Sequence, residues 1–377
     1  MPHPMHGAVP SSEAEMPAIR GQLIGLFSFD IGYEIDLERA RPLLRGAVTP
    51  GRERRRAAPS YVGHTTPPLR APLGTVSVPL ADAPVTAEAT VVVHEMGAVT
   101  IILTTPLACS VAALPPLTAT LTGAGPLEDA ARALADELRP KLAPAVVKST
   151  ASDVVEDYYV IQVDEVTPPL VAVELLRRAR GPLASALRCE TDALSDAEVE
   201  DALRTQLSYY PDDLVVTDWN VAIVVDPEYT AAVDVLEYLN VQLLELRYYD
   251  ALLDRHVADT YGLATMRPRR MPLLNRPIER TLDELADIRL EVATMVERLQ
   301  NAFKLGGDLY LNKLYSRTAE RLGLPAWSAS VQRKLDLLQQ RYNVLVERVR
   351  AARSEVLEVT IVILIVIELL VLLAGWG

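Results

Sequence analysis

Toward the C-terminus, apolar residues recur at a spacing that suits a packed helix. Val331, Leu335, Leu338, Tyr342, Leu345, Val349, Ala352, Val356 and Val359 are separated alternately by four and three residues. That is the heptad pattern of coiled-coil packing. No glycine or proline divides this seam from the stretch up to Leu373, which is aliphatic from Val359 onward except for Thr360 and Glu368. One continuous helix is predicted from about Val331 to Leu373, on the order of 65 Å long at 1.5 Å per residue. A helix apolar on all faces has to be covered on all faces, and about 20 apolar residues match the hydrocarbon core of a bilayer. The expectation is a transmembrane anchor at residues 357–376, joined to a coiled-coil helix at 330–356. Arg341, Arg348, Arg350 and Arg353 precede the apolar run, and basic flanks favour the cytoplasmic side. A tail-anchored protein is therefore expected, its soluble part on the cytoplasmic face of a membrane.

Helical spacing also marks the stretch before the seam, at residues 228–329. Leu236, Leu239, Leu243 and Leu246 recur at intervals of three and four. Ile278, Leu285, Val292 and Leu299 recur every seven, with Leu282, Val296 and Phe303 between them and Arg289 breaking the second row. The seam could pair with this helix at 278–303 as an antiparallel hairpin, or with another copy of the chain.

The first part of the chain alternates differently. Gln22–Asp30 is a short apolar run that reads as a buried strand, followed by a helix over LERARPLL that Asp36 can cap. Thr75–Leu80, Thr86–His94 and Ala98–Thr105 read as strands, the last two forming a hairpin around Glu95-Met96-Gly97. A helix is predicted over Pro126–Leu138, ending at Pro140, then a strand at Tyr158–Val163 and a helix at Leu170–Leu187 interrupted at Gly181-Pro182. Ser195 and Glu198 form a capping box for a helix with Val199, Leu203 and Leu207 on one face, stopped by Pro211. Leu214–Val216 and Val221–Val225 are strands around Asp218-Trp219-Asn220. The fold class expected is α+β: an N-terminal antiparallel sheet with packed helices over residues 19–227, then long coiled-coil-like helices, then the C-terminal transmembrane helix.

Composition changes this picture in a few places. The net charge of -13 over 377 residues makes bulk nucleic-acid binding an unfavourable reading, because such binding depends on neutralising phosphates. The cluster Arg52, Arg54, Arg55, Arg56 lies in a proline- and glycine-rich loop and reads first as a solvated loop. Two cysteines, Cys109 and Cys189, do not make a disulfide framework. Residues 1–18 carry Glu13 and Glu15 and no arginine, and read as a disordered tail rather than a presequence.

The search for chemistry leaves little. His3, His6, His64, His94 and His256 have no partner at metal-ligand spacing, and no phosphate loop, nucleophile elbow or dinucleotide fingerprint is present. No catalytic residue, cofactor or metal site is expected. Asp212, Asp213 and Asp218 could bind a cation, but turns and strand ends favour Asp for local hydrogen bonds. Tyr209, Tyr210, Asp212, Asp213, Asp218, Trp219 and Asn220 form the candidate partner-binding motif. Glu368 lies roughly 14 Å into the apolar run. A carboxylate at that depth in a bilayer is costly unless protonated or paired, so a hydrogen bond between Glu368 residues of an oligomer is expected.

Several segments together resemble the "required for meiotic nuclear division" family of membrane-anchored proteins. They are GLFSFDIGYEIDL at Gly25–Leu37, the hairpin at His94–Leu103, and Leu194–Asp226 with LSYYPDDLVVTDWN at its centre. The Pro–Trp turn and long helix of Leu322–Val349 and the VILIVIELL at 362–370 complete the match. The resemblance implies placement on a bacterial plasma membrane or the mitochondrial inner membrane, self-assembly, and in mitochondria support of translation. The absence of a presequence pattern favours the bacterial setting. No catalytic residues are carried over.

Two classes of function follow. One is an oligomeric scaffold or tethering protein, not an enzyme, held on a lipid bilayer through residues 357–376 and serving translation or assembly through a protein partner. The other is an enzyme or small-ligand sensor with a pocket near Asp212–Asn220.

Overall fold

The computed structural model describes residues 16–48, 63–64, 67–80, 83–123, 125–150, 152–265, 283, 286–295, 297, 303–304 and 309–374. The readings of residues 1–15, of Arg52–Arg56 and of the connection at 266–277 lie outside them, as do Ile278, Leu282, Leu285, Val296 and Leu299.

Strand β1 (Ala18–Asp30) is the middle of an eight-stranded sheet. It pairs antiparallel with β6 (Ala98–Ser110) on one side and β8 (Val155–Thr167) on the other. Beyond β6 come β5 (Ala83–Val93) and β4 (Leu69–Leu80); beyond β8 come β11 (Val221–Val225), β10 (Leu214–Thr217) and the short β9 (Gln206–Leu207). Two-stranded pairs join β2 (Gly32–Ile35) to β7 (Val146–Ser149), and β3 (Gly63–His64) to β12 (Phe303–Lys304).

Side chains on a strand alternate between faces, and β1 is apolar on both. Leu23, Phe27 and Phe29 enter one core, and Ile24 and Leu26 enter the other. Hence its sequence reads as an unbroken apolar run, as a strand covered on both sides should. The first core is closed by the helices α2 (Leu114–Ala119), α3 (Pro126–Leu142) and α5 (Arg180–Arg188). The second is closed by α7 (Thr230–Thr265), α8 (Leu309–Arg321) and α9 (Leu324–Ala374).

This corrects the expected sheet in one respect. β11 lies parallel to β8, because the chain between them crosses one face as helices α4 (Ala172–Arg178), α5 and α6 (Asp196–Ala202). A crossover of that kind returns the chain in the same direction. Boundaries shift as well. Helix α3 passes through Pro140 and ends at Leu142, so Pro140 leaves the Asp136 carbonyl without its i→i−4 bond only in the final turn. Helix α6 stops at Ala202, and Leu207, expected on its apolar stripe, lies in β9.

Helix α7 is wedged between the sheet and α9, so every residue from Val235 to Leu246 is buried. The first half of the heptad seam is satisfied inside the chain: Val331, Leu335, Leu338 and Leu345 are all buried. Ser330 donates to Asp250 Oδ1 at 2.8 Å, Lys334 pairs with Asp250 and Asp254, and Arg341 donates to the Val257 carbonyl at 3.2 Å. Both residue numbers rise together, so α9 runs parallel to α7.

Helix α9 is continuous for 51 residues, but its end requires a second correction. From Leu357 to Val371 each large apolar side chain is 48 % or more exposed. The described run, residues 357–371, is broken by Glu358 and Glu368. Among the described residues no helix is long and apolar enough to cross a membrane. The transmembrane anchor at 357–376, the tail-anchored topology and the membrane localisation expected from the sequence are corrected accordingly.

Gly97 shows how closely the hairpin fits. It closes the β5–β6 turn at φ +100, and a Cβ there would lie 1.7 Å from the Gly32 carbonyl oxygen. Both conditions exclude a side chain, so Gly97→Ala should destabilise the fold by at least about 2 kcal/mol in chemical denaturation.

Candidate functional site

The motif around Asp218 is built where the β10–β11 turn meets α5, α6 and α8. Asp218 is wholly buried, yet it is tied to two guanidinium groups. Arg321 Nε on α8 lies 2.8 Å from Asp218 Oδ1, and Arg188 Nη1 on α5 lies 3.1 Å from Oδ2. The same two arginines share Asp201 on α6, at 2.5 Å from Arg188 Nη2 and 2.8 Å from Arg321 Nη2. Glu198 adds a contact to Arg188 at 2.7 Å. Burial pushes the Asp218 carboxyl up, outweighing the pull of Arg321 and Arg188. At Asp201 the hydrogen bond from Arg321, helped by Arg188, prevails over burial and holds the carboxyl down to about 2. Within the turn Asp218 Oδ1 accepts from Trp219 N and Asp218 N donates to the Val221 carbonyl, while its own carbonyl accepts from Tyr158 OH on β8. This is a structural lattice in which each carboxylate has an arginine beside it, although Asp218 Oδ2 and Arg188 Nε are buried without a hydrogen bond.

The other members of the motif do not converge on one cleft. Asp213 is buried and its carboxylate accepts from Tyr209 N at 2.6 Å. Asn220 is also buried, and its carbonyl accepts from Tyr159 N in β8. Asp212 is exposed. Tyr209 and Trp219 point to solvent, at 57 % and 50 % exposure. Tyr209 stacks edge-on with Tyr210 and with Tyr310 at the start of α8, whereas Trp219 adjoins Asp218 and so lies by Arg321 at the end of α8. A helix of that span sets the two aromatics on the order of 16 Å apart. Among the described residues no three His, Cys, Asp or Glu side chains are placed to hold a metal ion. Cys109 and Cys189 are free thiols. Glu368 is exposed on the end of α9.

A larger polar assembly, not anticipated from the sequence, lies between the sheet and α7. His94 Nε2 and Glu237 Oε1 are 2.7 Å apart and both side chains are 3 % exposed. Burial would raise the Glu237 carboxyl, but His94, Thr100 and Arg70 draw it below its usual range. Next along α7, Asn240 Nδ2 donates to Ser28 Oγ at 3.0 Å and to the Glu156 carbonyl at 2.8 Å, and Ser28 meets Thr100 at 3.0 Å. Arg247 then pairs with the Glu156 carboxylate. Burial pushes Glu156 up to about 7, more than Arg247 pulls it down. The signal in the sequence was Glu237 and Asn240 placed one turn apart within Val235–Val241, a stretch otherwise apolar. Polar residues at that spacing normally mark a solvent face, and here that face is buried too.

A cavity of about 300 Å³ lies away from both assemblies, between the helical residues 286–293 and α9; Ala286, Ala293, Leu338 and Tyr342 are among its walls.

With the geometry in place, comparison with known proteins gives the class. Residues 20–231 match the family described as "Uncharacterized protein MJ0711, N-terminal domain", and the chain belongs to that family. It is similar to the "Uncharacterized protein MJ0711" of Methanocaldococcus jannaschii, 22 % identical over 243 residues, covering 64 % of this chain and 73 % of the relative. No solved structure matches. The family match ends at the start of α7, just past the last strand of the sheet.

Two measurements test these assemblies. Asp218→Ala leaves Arg188 and Arg321 without their buried counter-charge, and should cost about 3 kcal/mol or more in chemical denaturation. Glu156 binds its proton more tightly folded than unfolded, so its contribution to stability is complete below pH 4.5 and is lost as pH rises toward about 7. Glu156→Gln should flatten the fall in stability over that interval.

Proposed function

We propose that this protein is a self-associating scaffold rather than an enzyme, with the sheet as its body and α9 as its arm. The observation that carries this reading is the row of exposed apolar side chains from Leu357 to Val371. A continuous apolar surface of this kind marks an interaction site. The seam explains what fits it. Its first half is buried within the chain as far as Leu345, and the same four-and-three spacing continues through Val359, Ile363, Val366 and Leu370, all exposed. In the parallel register set by Lys334 and Asp250, the end of α7 at Thr265 falls opposite about residue 349 at equal rise per residue. Beyond that point no described residue of α7 accompanies α9, and a heptad seam of this kind calls for another helix.

A second copy of the chain supplies an identical seam in matching register. In that pairing Glu368, two residues past Val366, stays off the seam and keeps its carboxylate in water. The resemblance to a self-assembling family supports the same reading, as does the failure of Asp212, Asp213, Asp218, Tyr209 and Trp219 to line one cleft. The exposed Trp219 and Tyr209 on the body are then contact points for a protein partner.

The test is the mass of the full chain in solution by light scattering, beside a variant with Ile363→Glu and Val366→Glu. An oligomer that the double variant reduces to a monomer is expected. A single chain, or one chain whose excess mass is bound detergent or lipid, overturns the proposal.

A further inference from the structure

At the far end of the α7 interface two carboxyl groups face a shortage of partners. Asp30 closes β1 and is 1 % exposed. Its Oδ1 accepts from Gly32 N at 3.1 Å and from Thr150 Oγ1 at 2.9 Å, while its Oδ2 is buried without a hydrogen bond. Glu245 on α7 is 2 % exposed, and its Oε1 is likewise buried without a hydrogen bond. The two carboxyls are near enough for the charge of Asp30 to bear on Glu245.

The groups around them do not neutralise both. Arg139, on α3, donates to the Asp30 carbonyl at 3.4 Å and exerts a modest pull on its carboxylate. Lys148, on β7, is committed to Glu291 at 3.4 Å. Glu291, on the helical residues 286–295, adds a third negative charge and accepts from Tyr249 OH at 3.5 Å. Tyr248 and Tyr249 on α7 are neutral, Arg255 acts on Tyr248, and Arg247 is held by Glu156 from β8. A buried carboxylate without a counter-ion is far costlier than a neutral carboxylic acid.

We propose that Asp30 and Glu245 form a proton-gated latch. With a proton on the pair, the second half of α7 lies closed against the sheet; when the proton is lost to solvent, two like charges face each other in the core and this end of α7 opens together with residues 286–295. The direction of titration agrees with the geometry, since burial pushes Asp30 up to about 6 and drives Glu245 well above the ordinary carboxylate range. Because α9 packs on the same part of α7 through Asp250 and Asp254, the latch would set how firmly the arm is held on the body. It does not depend on whether the arm self-associates.

The experiment is hydrogen exchange on the full chain at about pH 6 and about pH 9, with intrinsic base catalysis divided out. Protection of the amides around residues 245–253 should fall roughly tenfold or more at the higher pH in the wild type. Glu245→Gln, which mimics the protonated acid, should keep its protection at both, and Asp30→Asn should act in the same direction. Wild-type protection that does not change, or a Glu245→Gln variant that loses protection as the wild type does, overturns the latch. If those variants do not fold, infrared spectroscopy of the Glu156→Gln chain reads the pair directly. A protonated-carboxyl band at neutral pH that disappears in step with the loss of protection supports the proposal, and its absence at neutral pH overturns it.

Discussion

A helix buried on every side is the constraint from which the rest of this structure follows. Helix α7 is covered by the sheet on one flank and by α9 on another, so all of its residues from Val235 to Leu246 are buried. Its apolar side chains gain from this without condition. Its polar ones do not: an unpartnered buried amide or carboxyl costs more than an ordinary hydrogen bond returns. Hence the strands beneath α7 carry polar residues in their inward rows. Ser28, His94, Thr100 and Glu156 sit in or beside the central strands opposite Asn240, Glu237 and Arg247. The register of helix on sheet is thereby specified by matched pairs, where a purely apolar interface would tolerate sliding.

The β10–β11 turn uses charge instead. Two arginines from different helices, Arg188 and Arg321, converge on Asp218 and Asp201. The pairs hold the β10–β11 turn, the crossover helices and α8 in one arrangement. Buried ion pairs of this kind seldom add much net stability, since desolvation offsets attraction. What they enforce is completeness: with four partners from four elements, an incomplete assembly leaves a charge stranded.

Much of this was legible in the residues, and the failures have physical causes. β1, the β5–β6 hairpin with Gly97 in its turn, and the continuous helix α9 were readable because each rests on a local pattern: an unbroken apolar run, a turn glycine between two strands, and a heptad seam. The parallel β8–β11 pair was not, because strand direction depends on the path of the intervening chain and not on the strands themselves. Nor was the role of Asp218. In the sequence it is one acid among three in a turn; only the fold brings Arg188 and Arg321 to it across 30 and 103 residues. The buried polar row of α7 was not legible for a different reason. A stripe of Glu and Asn on an amphipathic helix looks the same whether it meets water or a polar patch on a sheet, and only the second layer decides.

The two halves of α9 follow one rule with different outcomes. Along its first half the heptad positions find α7, and the side chains are buried through Leu345. Along its second half the same spacing persists while the described chain supplies nothing alongside it. A seam is an instruction to pack, and it does not specify which chain will do the packing. The body of this protein answers that instruction for as far as α7 extends. Past its described end no described residue lies alongside α9, and the regular spacing of Val359, Ile363, Val366 and Leu370 fits a helix in register better than an irregular surface.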